Sequence, residues 1–212
     1  MSRSSCPSPS AASDPAADRA LVLLAAGRSR RMGRRDKLLL PLGEATVLAQ
    51  TCGRLARLPA AYRLAVVGSE ATAPVVRHAG FAVCWNRAGQ GGRHESLRLA
   101  LAALREIPLT GGLWIALADL PHLRAESGQQ LAAGAARLTG DILIPHCAAA
   151  GDGHPRLFRG PALAALRRAA MPDPRGLIAG GAFAVNRLPI ADPGICRDID
   201  TPADYRAALC AG

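Results

Sequence analysis

From residue 19 onward the chain reads as short apolar runs alternating with helical patterns. Residues 20–25 (ALVLLA) predict a buried strand, and 47–58 an amphipathic helix. A second strand is expected over 64–67 with a short helix over 73–78. A third covers 81–85, followed by a helix over 96–104 with leucines at helical spacing. LWIALA, 113–118, is a fourth strand and 127–138 a helix; 141–145 is a fifth strand, 161–170 a helix and 183–188 a late strand. Pro202 opens the last helix, with Thr201 as its N-cap. Strands this apolar, separated by helices, predict a mostly parallel sheet covered on both faces. Ligands of such a sheet bind in the crevice at the carboxyl ends of its strands. No repeat or linker divides the region, so 19–212 is expected to be a single domain.

Composition sharpens this picture. Half of the residues are hydrophobic but only 3% are aromatic, so the core must be built from Ala, Leu, Val and Ile. Residues 1–18 are rich in Ser, Pro and Ala, with no apolar run before Leu21, and are expected to be a disordered tail rather than a signal peptide. No stretch approaches the roughly 18 apolar residues of a membrane span. The six cysteines are scattered without a C-x-x-C pair, which argues against a disulfide scaffold or a zinc ribbon. A soluble, cytoplasmic protein is expected.

Charge then singles out one loop. The chain has 26 basic residues, of which Lys37 is the only lysine, and a net charge of +10. Residues 28–37 carry six basic side chains and one acidic one, a local +5 that would attract phosphates. This loop follows the first strand, where small residues (Ala25, Ala26, Gly27) let backbone N–H groups approach an anion. Arginine is a broad planar fork, whereas lysine is a compact point charge on a flexible stem. A site that must follow one phosphoryl oxygen as its charge grows has reason to prefer the ammonium.

Other candidates sit at strand ends. Asp119 ends the fourth strand in ALADLPHL, as a natural magnesium ligand or as a turn and N-cap residue; placement alone leaves both open. Asp198 and Asp200 alternate on one face of an extended segment in RDIDTPADY, while Asp204 falls in a first helical turn and suits the helix dipole. The segment 86–101 places glycines, Gly91 among them, and Ser96 before a helix start, as potential anion or base contacts; Arg93 and His94 there suit a phosphate contact or a solvated turn equally. His154 lies in the glycine-rich turn GDGHPRLF, where a structural role and a ligand contact both stand. G-x-G-x-x-G, G-x-x-x-x-G-K-[ST] and G-x-S-x-G are all absent.

Together these segments resemble the MobA-like nucleotidyltransferases, and among them the molybdenum cofactor cytidylyltransferases. The signature LAAG-x-S-x-RMG-x-x-K-L-L-L-P-L is matched over 24–42, with one extra residue before Lys37. The strand-end A-D-x-P aspartate falls at Asp119, G-H-P-x-L-F at 153–158 and D-I-D-T-P-x-D at 198–204. The resemblance implies a Rossmann-like three-layer α/β/α sandwich with a mostly parallel, mixed sheet. It implies attack by an acceptor phosphate on the α-phosphate of an NTP, releasing pyrophosphate. It places the nucleotide on Leu24, Ala25, Ala26, Gly27, Arg31, Lys37, Gly91 and Ser96, with Lys37 and Arg31 catalytic, Mg²⁺ on Asp119 and Asp200, and acceptor contact at His154. CTP and a molybdopterin-type phosphate are the implied substrates, with a molybdoenzyme or its maturation chaperone as a further partner.

The chain departs from that pattern in two places. GQGGRHESL, 89–97, stands where G-M-S-x-S-L is usual, and DPRGLIAG, 173–180, is a reduced form of D-R-G-A-R. Two alternatives keep the chemistry: GTP to molybdenum cofactor, or CTP or UTP to a sugar or polyol phosphate. A nucleic-acid-binding module built on the 28–37 cluster is a different class, and three Phe, two Trp and two Tyr give it few stacking platforms.

Overall fold

A computed structural model describes residues 18–33, 35–87 and 92–210. Nearly all of the expected tail lies outside the described residues, as does Gly91.

In chain order the elements are β1 (Arg19–Ala25), a hairpin of β2 (Pro41–Leu42) and β3 (Ala45–Thr46), α1 (Val47–Leu55), β4 (Tyr62–Val67), α2 (Ala73–His78), β5 (Ala82–Trp85) and α3 (Gly92–Ala103). There follow β6 (Gly112–Leu117), α4 (Ala125–Arg137), β7 (Ile142–Cys147), β8 (Gly151–Asp152), β9 (Arg156–Phe158), α5 (Gly160–Arg168), α6 (Pro174–Ala179), β10 (Val185–Pro189) and α7 (Pro202–Cys210). The main sheet runs β10-β7-β9-β6-β1-β4-β5, with β8 beside β7. β1 pairs in parallel with β4 and β6, β4 with β5, and β7 with β10.

Both faces of the sheet are covered, which is why its strands read as unbroken apolar runs. In β1, Leu21, Leu23 and Ala25 join a core cluster with Leu48, Cys52 and Leu55 of α1, Val76 of α2 and Leu131 of α4. Ala20 and Val22 point to the other cluster, with Leu97 and Leu101 of α3 and Leu163 and Leu166 of α5. The result is the expected three-layer sandwich. A third cluster joins Leu40, Leu42 and Val47 to Ile199 and Ala208, and so fastens the hairpin and α7 to the body.

Three differences from expectation bear on the site. α1 stops at Leu55 rather than 58, because Leu58 precedes Pro59, whose ring disfavours helical backbone before it. α3 starts at Gly92, a turn earlier than expected. The GDGHPRLF turn is part strand: β9 inserts between β6 and β7, antiparallel to both. Three residues are too few to show a period, yet Leu157 and Phe158 are fully buried there, opposite Trp114 and Leu113 of β6.

Candidate active site

The loop after β1 is shaped by its own side chains. Ser29 adopts a left-handed backbone (φ 46°), and its hydroxyl accepts the N–H of Lys37 at 3.2 Å while donating to the Asp36 carboxylate at 3.4 Å. Asp36 in turn caps the 3-10 turn Lys37–Leu39 by accepting Leu38 N–H at 3.1 Å. These bonds close the loop and fix the start of the turn that carries Lys37. Leu38, buried, anchors the same turn in the core.

A second tie brings the carboxylates in. Ile199 N–H donates to the carbonyl of Asp119 at 3.1 Å, laying the segment 198–200 against the end of β6. Asp204 then holds that segment from behind. Its carboxylate accepts Asp200 N–H at 3.1 Å and Thr201 N–H at 2.7 Å, while Thr201 Oγ accepts Asp204 N–H at 3.2 Å. This reciprocal cap starts α7, so Asp204 does more than oppose the helix dipole.

At the meeting point, buried Lys37 donates from Nζ to Asp119 Oδ2 at 2.5 Å and to Asp200 Oδ1 at 2.6 Å. Arg31, on the exposed rim, pairs with Asp200 Oδ2 at 3.0 Å. One oxygen from each of Asp119, Asp198 and Asp200 lies within 4.8 Å of the others. Asp119 Oδ1 is buried with no hydrogen-bond partner.

The titration behaviour follows from this crowding. Burial alone would lower the Lys37 ammonium, but the Asp119 charge and the bonds to Asp119 and Asp200 hold it above its ordinary value. Burial pushes the Asp119 carboxyl up against the pull of Lys37, and the neighbouring Asp198 and Asp200 push the same way. Asp200, more exposed, is held down chiefly by its bond from Lys37.

These groups line one cavity of about 740 Å³ at the carboxyl ends of β1 and β6. Leu24, Ala26, Gly27, Arg31, Lys37, Ser96, Asp119 and Asp200 all meet there, with Asp198 and Arg93 added. That is the size range of small-molecule and cofactor sites. Ala25 lines an adjoining cavity of about 290 Å³ with Ala26, Gly27, Gly68 and Asn86.

His154 does not reach the main cavity. It lines a third hollow next door, with Nδ1 3.3 Å from the Ile115 carbonyl. Its turn is fixed by a close approach: a Cβ on Gly153 would stand 2.5 Å from Ile195 O, and His154 N–H donates to that same carbonyl.

Ser96 is buried, with a hydroxyl already committed: it donates to Gly92 O at 3.2 Å and accepts from Asn86 Nδ2 at 3.0 Å. It braces Asn86, a buried polar side chain in the cavity wall that sequence reasoning overlooked. Ser29 was overlooked likewise, although it fills the fixed serine of the 24–42 signature. Arg93, for which the sequence leaves a phosphate contact and a solvated turn both open, lines the cavity.

A nucleotide-sized crevice with a backbone-lined loop, one buried lysine and a carboxylate cluster defines a phosphoryl-type transferase acting on nucleotides. The chain belongs to the MobA-like NTP transferase domain family, whose model matches residues 21–183. Among solved structures it is similar to the homologue of Mycobacterium tuberculosis rv0371c from Mycobacterium sp. strain JC1. The two share 30% identity, with 92% of this chain and 96% of that one covered and a TM-score of 0.74. It is similar to Rv0371C of Mycobacterium tuberculosis H37Rv in complex with manganese, at 28% identity, 92% and 100% coverage and a TM-score of 0.71. Molybdopterin-guanine dinucleotide biosynthesis protein A from Archaeoglobus fulgidus shares the fold at 19% identity, 91% and 98% coverage and a TM-score of 0.63. No curated protein matches the sequence. The protein is a nucleotidyltransferase.

Proposed function

We propose that the protein transfers CMP from CTP to the phosphate of a molybdopterin-type acceptor, with Mg²⁺ as its metal. The observation that carries the transfer chemistry is Lys37 bridging Asp119 and Asp200, at 2.5 and 2.6 Å, inside the main cavity. In this reading Ala26 and Gly27 present backbone to the nucleotide phosphates. Lys37 supplies a compact charge to the α-phosphoryl oxygens as the acceptor oxygen attacks and pyrophosphate departs. Arg31 follows the phosphates from the rim. Asp119, Asp198 and Asp200 are the residues that would hold the cation. The unpartnered Asp119 Oδ1 suits it, because a buried carboxylate oxygen without a donor is costly unless a cation meets it. When bound, that cation supplies positive charge to the phosphate oxygens. The manganese in the Rv0371C complex supports a divalent metal here.

The base follows from the LAAG loop. Ala26 lines both the main and the adjoining cavity, and in this reading its methyl narrows the approach for a purine. Asn86 offers an amide to a pyrimidine edge in the same wall. The acceptor assignment is supported by G-H-P-x-L-F and by a fold neighbour bearing a molybdopterin-dinucleotide name. The product would pass to a molybdoenzyme or its maturation chaperone.

Pyrophosphate release with each of the four NTPs, with and without molybdopterin, tests this. CTP with molybdopterin should turn over best, by about tenfold to a couple of hundredfold over GTP, since a methyl-scale fit is worth about 1–3 kcal/mol. Ala26→Gly should narrow that ratio. Wild-type preference for GTP would overturn the cytidylyl assignment and leave the transferase standing.

A further inference from the structure

Asp200 is the member of the carboxylate cluster with no oxygen to spare. Its Oδ1 accepts from Lys37 Nζ at 2.6 Å and its Oδ2 from Arg31 Nη1 at 3.0 Å. Asp119 keeps Oδ1 buried and unpartnered, and among the described residues no ion pair reaches Asp198. One oxygen from each of the three lies within 4.8 Å of the others. A cation drawn to the cluster by Asp119 Oδ1 therefore finds Asp200 already engaged from two sides.

The two partners of Asp200 are not alike. The Lys37 side chain is 10% exposed, bonds to Asp119 as well, and begins a turn fixed by Ser29 and Asp36. The Arg31 side chain is 69% exposed, and among the described residues Asp200 is the group it bonds to. Asp200 cannot follow a moving partner, since Asp204 holds its N–H at 3.1 Å and Ile199 N–H ties the segment to Asp119. An ion pair this exposed contributes little to folding. Arg31 is therefore free to exchange Asp200 for a stronger anion. A triphosphate entering the same cavity offers one, with several oxygens for a bidentate guanidinium.

We propose that Arg31 gates the metal site: paired with Asp200 it withholds that carboxylate from a divalent cation, and by turning to the nucleotide phosphates it releases Asp200 Oδ2 as a ligand. This deepens the transferase reading above and rests on it. No covalent bond changes in the step; Arg31 exchanges one anionic partner for another. The consequence is cooperative binding of cation and nucleotide. Linkage makes it reciprocal, so whatever factor the nucleotide adds to cation affinity, the cation adds to nucleotide affinity. Charge alone would give part of this effect, because any nearby arginine opposes a cation. Arg93 separates the two causes. It lines the same cavity and its charge reaches Asp200, with no bond between them among the described residues.

The test uses Mn²⁺ as the probe, its free fraction read by electron paramagnetic resonance. It is titrated into the protein alone and into protein saturated with a non-hydrolysable CTP analogue. Without nucleotide, Arg31→Gln should bind Mn²⁺ about two- to fivefold more tightly than wild type, the usual worth of an exposed ion pair. Arg93→Gln should change that affinity less, and Arg31→Lys should stay near wild type. The factor by which the analogue tightens Mn²⁺ binding should shrink in Arg31→Gln by the same ratio. Arg31 is exposed on the rim, so its variants are expected to keep the fold. Mn²⁺ affinity of free Arg31→Gln at or below wild type, a rise no greater than that of Arg93→Gln, or an undiminished nucleotide factor would overturn the gate. Failure of the analogue to bind wild-type protein would instead count against the transferase reading, since the titrations without nucleotide still decide whether Arg31 withholds Asp200.

Discussion

The nucleotide cavity and the hollow beside it treat charge in opposite ways. In the first, Lys37 and Arg31 are ion-paired with Asp119 and Asp200 at 2.5–3.0 Å, so these two cations have partners before any ligand arrives. In the second, three arginines share a wall without an ion-paired carboxylate among the described residues, and Arg156 is held below its ordinary value by burial and then by Arg175. A site whose cations are paired keeps its geometry when empty, but its ligand must compete with internal partners. An unbalanced site gains its counter-charge only from its ligand, which favours selection by charge. The two meet at Arg93, where a transferred group would cross from one to the other.

The strongest way to break this contrast is Lys37→Arg. The ammonium fits between two carboxylates at 2.5 and 2.6 Å, and a planar guanidinium cannot bridge them in the same buried space. Turnover should fall about 10²–10³-fold, the usual cost of one preorganised contact to a developing charge. Turnover within a few-fold of wild type would mean that the lone lysine is a relic of composition.

The carboxylates come next. Asp119→Asn and Asp200→Asn should each raise the Mg²⁺ needed for half-maximal rate about 10- to 100-fold. The larger effect is expected at Asp119, whose Oδ1 is buried and unpartnered, than at the more exposed Asp200. A magnesium titration of each variant reads this directly. An unchanged curve for Asp119→Asn would remove that residue from the metal site.

Much of this contrast was legible in the chain, but unevenly. The β1 loop announces itself locally: ALVLLA, small residues, basic run and lone lysine are consecutive, and Ser29, Asp36 and the turn that carries Lys37 bond to one another. Asp119 and Asp200 each stood out at an element boundary. The Ile199 to Asp119 bond that joins them spans 80 positions, and no short-range pattern encodes it. The arginine hollow was the least visible part. Arg93, Arg156 and Arg175 come from three separate elements in a chain with 25 arginines, where one more carries no signal. β9 was missed for a related reason, since a strand buried between two others needs only three apolar-flanked residues. Asp192 shows the limit most sharply. It is a buried carboxylate accepting from Ser127, Arg124 N–H and Gly194 N–H, and nothing around it in the sequence suggests so many partners.

Acid sensitivity sharpens the comparison from the arginine side. His154 titrates near 3 when folded and near its ordinary 6.5 when unfolded. Between those values the unfolded chain binds the extra proton, so stability is lost as pH falls through 6.5 and levels off below about 3. From pH 6.5 to 5.0 the loss should be about 1.5–2 kcal/mol. His154→Gln should flatten that limb in urea unfolding measured across the range. A wild-type profile with no slope there, or a variant with the same slope, would place the acid response elsewhere.

The smallest expected effect tests how the two sides are held in register. Asp204 touches neither cavity's ligand space, yet it accepts the N–H groups of both Asp200 and Thr201 and completes the cap of α7. Asp204→Ala removes these bonds together. Loss of an N-terminal cap typically costs about 0.5–2 kcal/mol, so a modest drop in stability is expected. A cap alone would cost stability and nothing more. The bond to Asp200 N–H adds a second consequence, because Asp200 would lose its fixed position beside Asp119. The half-saturating Mg²⁺ concentration should therefore rise a few-fold, while binding of methyl phosphate, as a probe of the arginine hollow, stays as in wild type. Asp204→Asn, which keeps an acceptor oxygen, should restore most of the metal affinity. If Asp204→Ala weakened both equally, the two sites would not be separable through this residue, and its role would be to hold the fold as a whole.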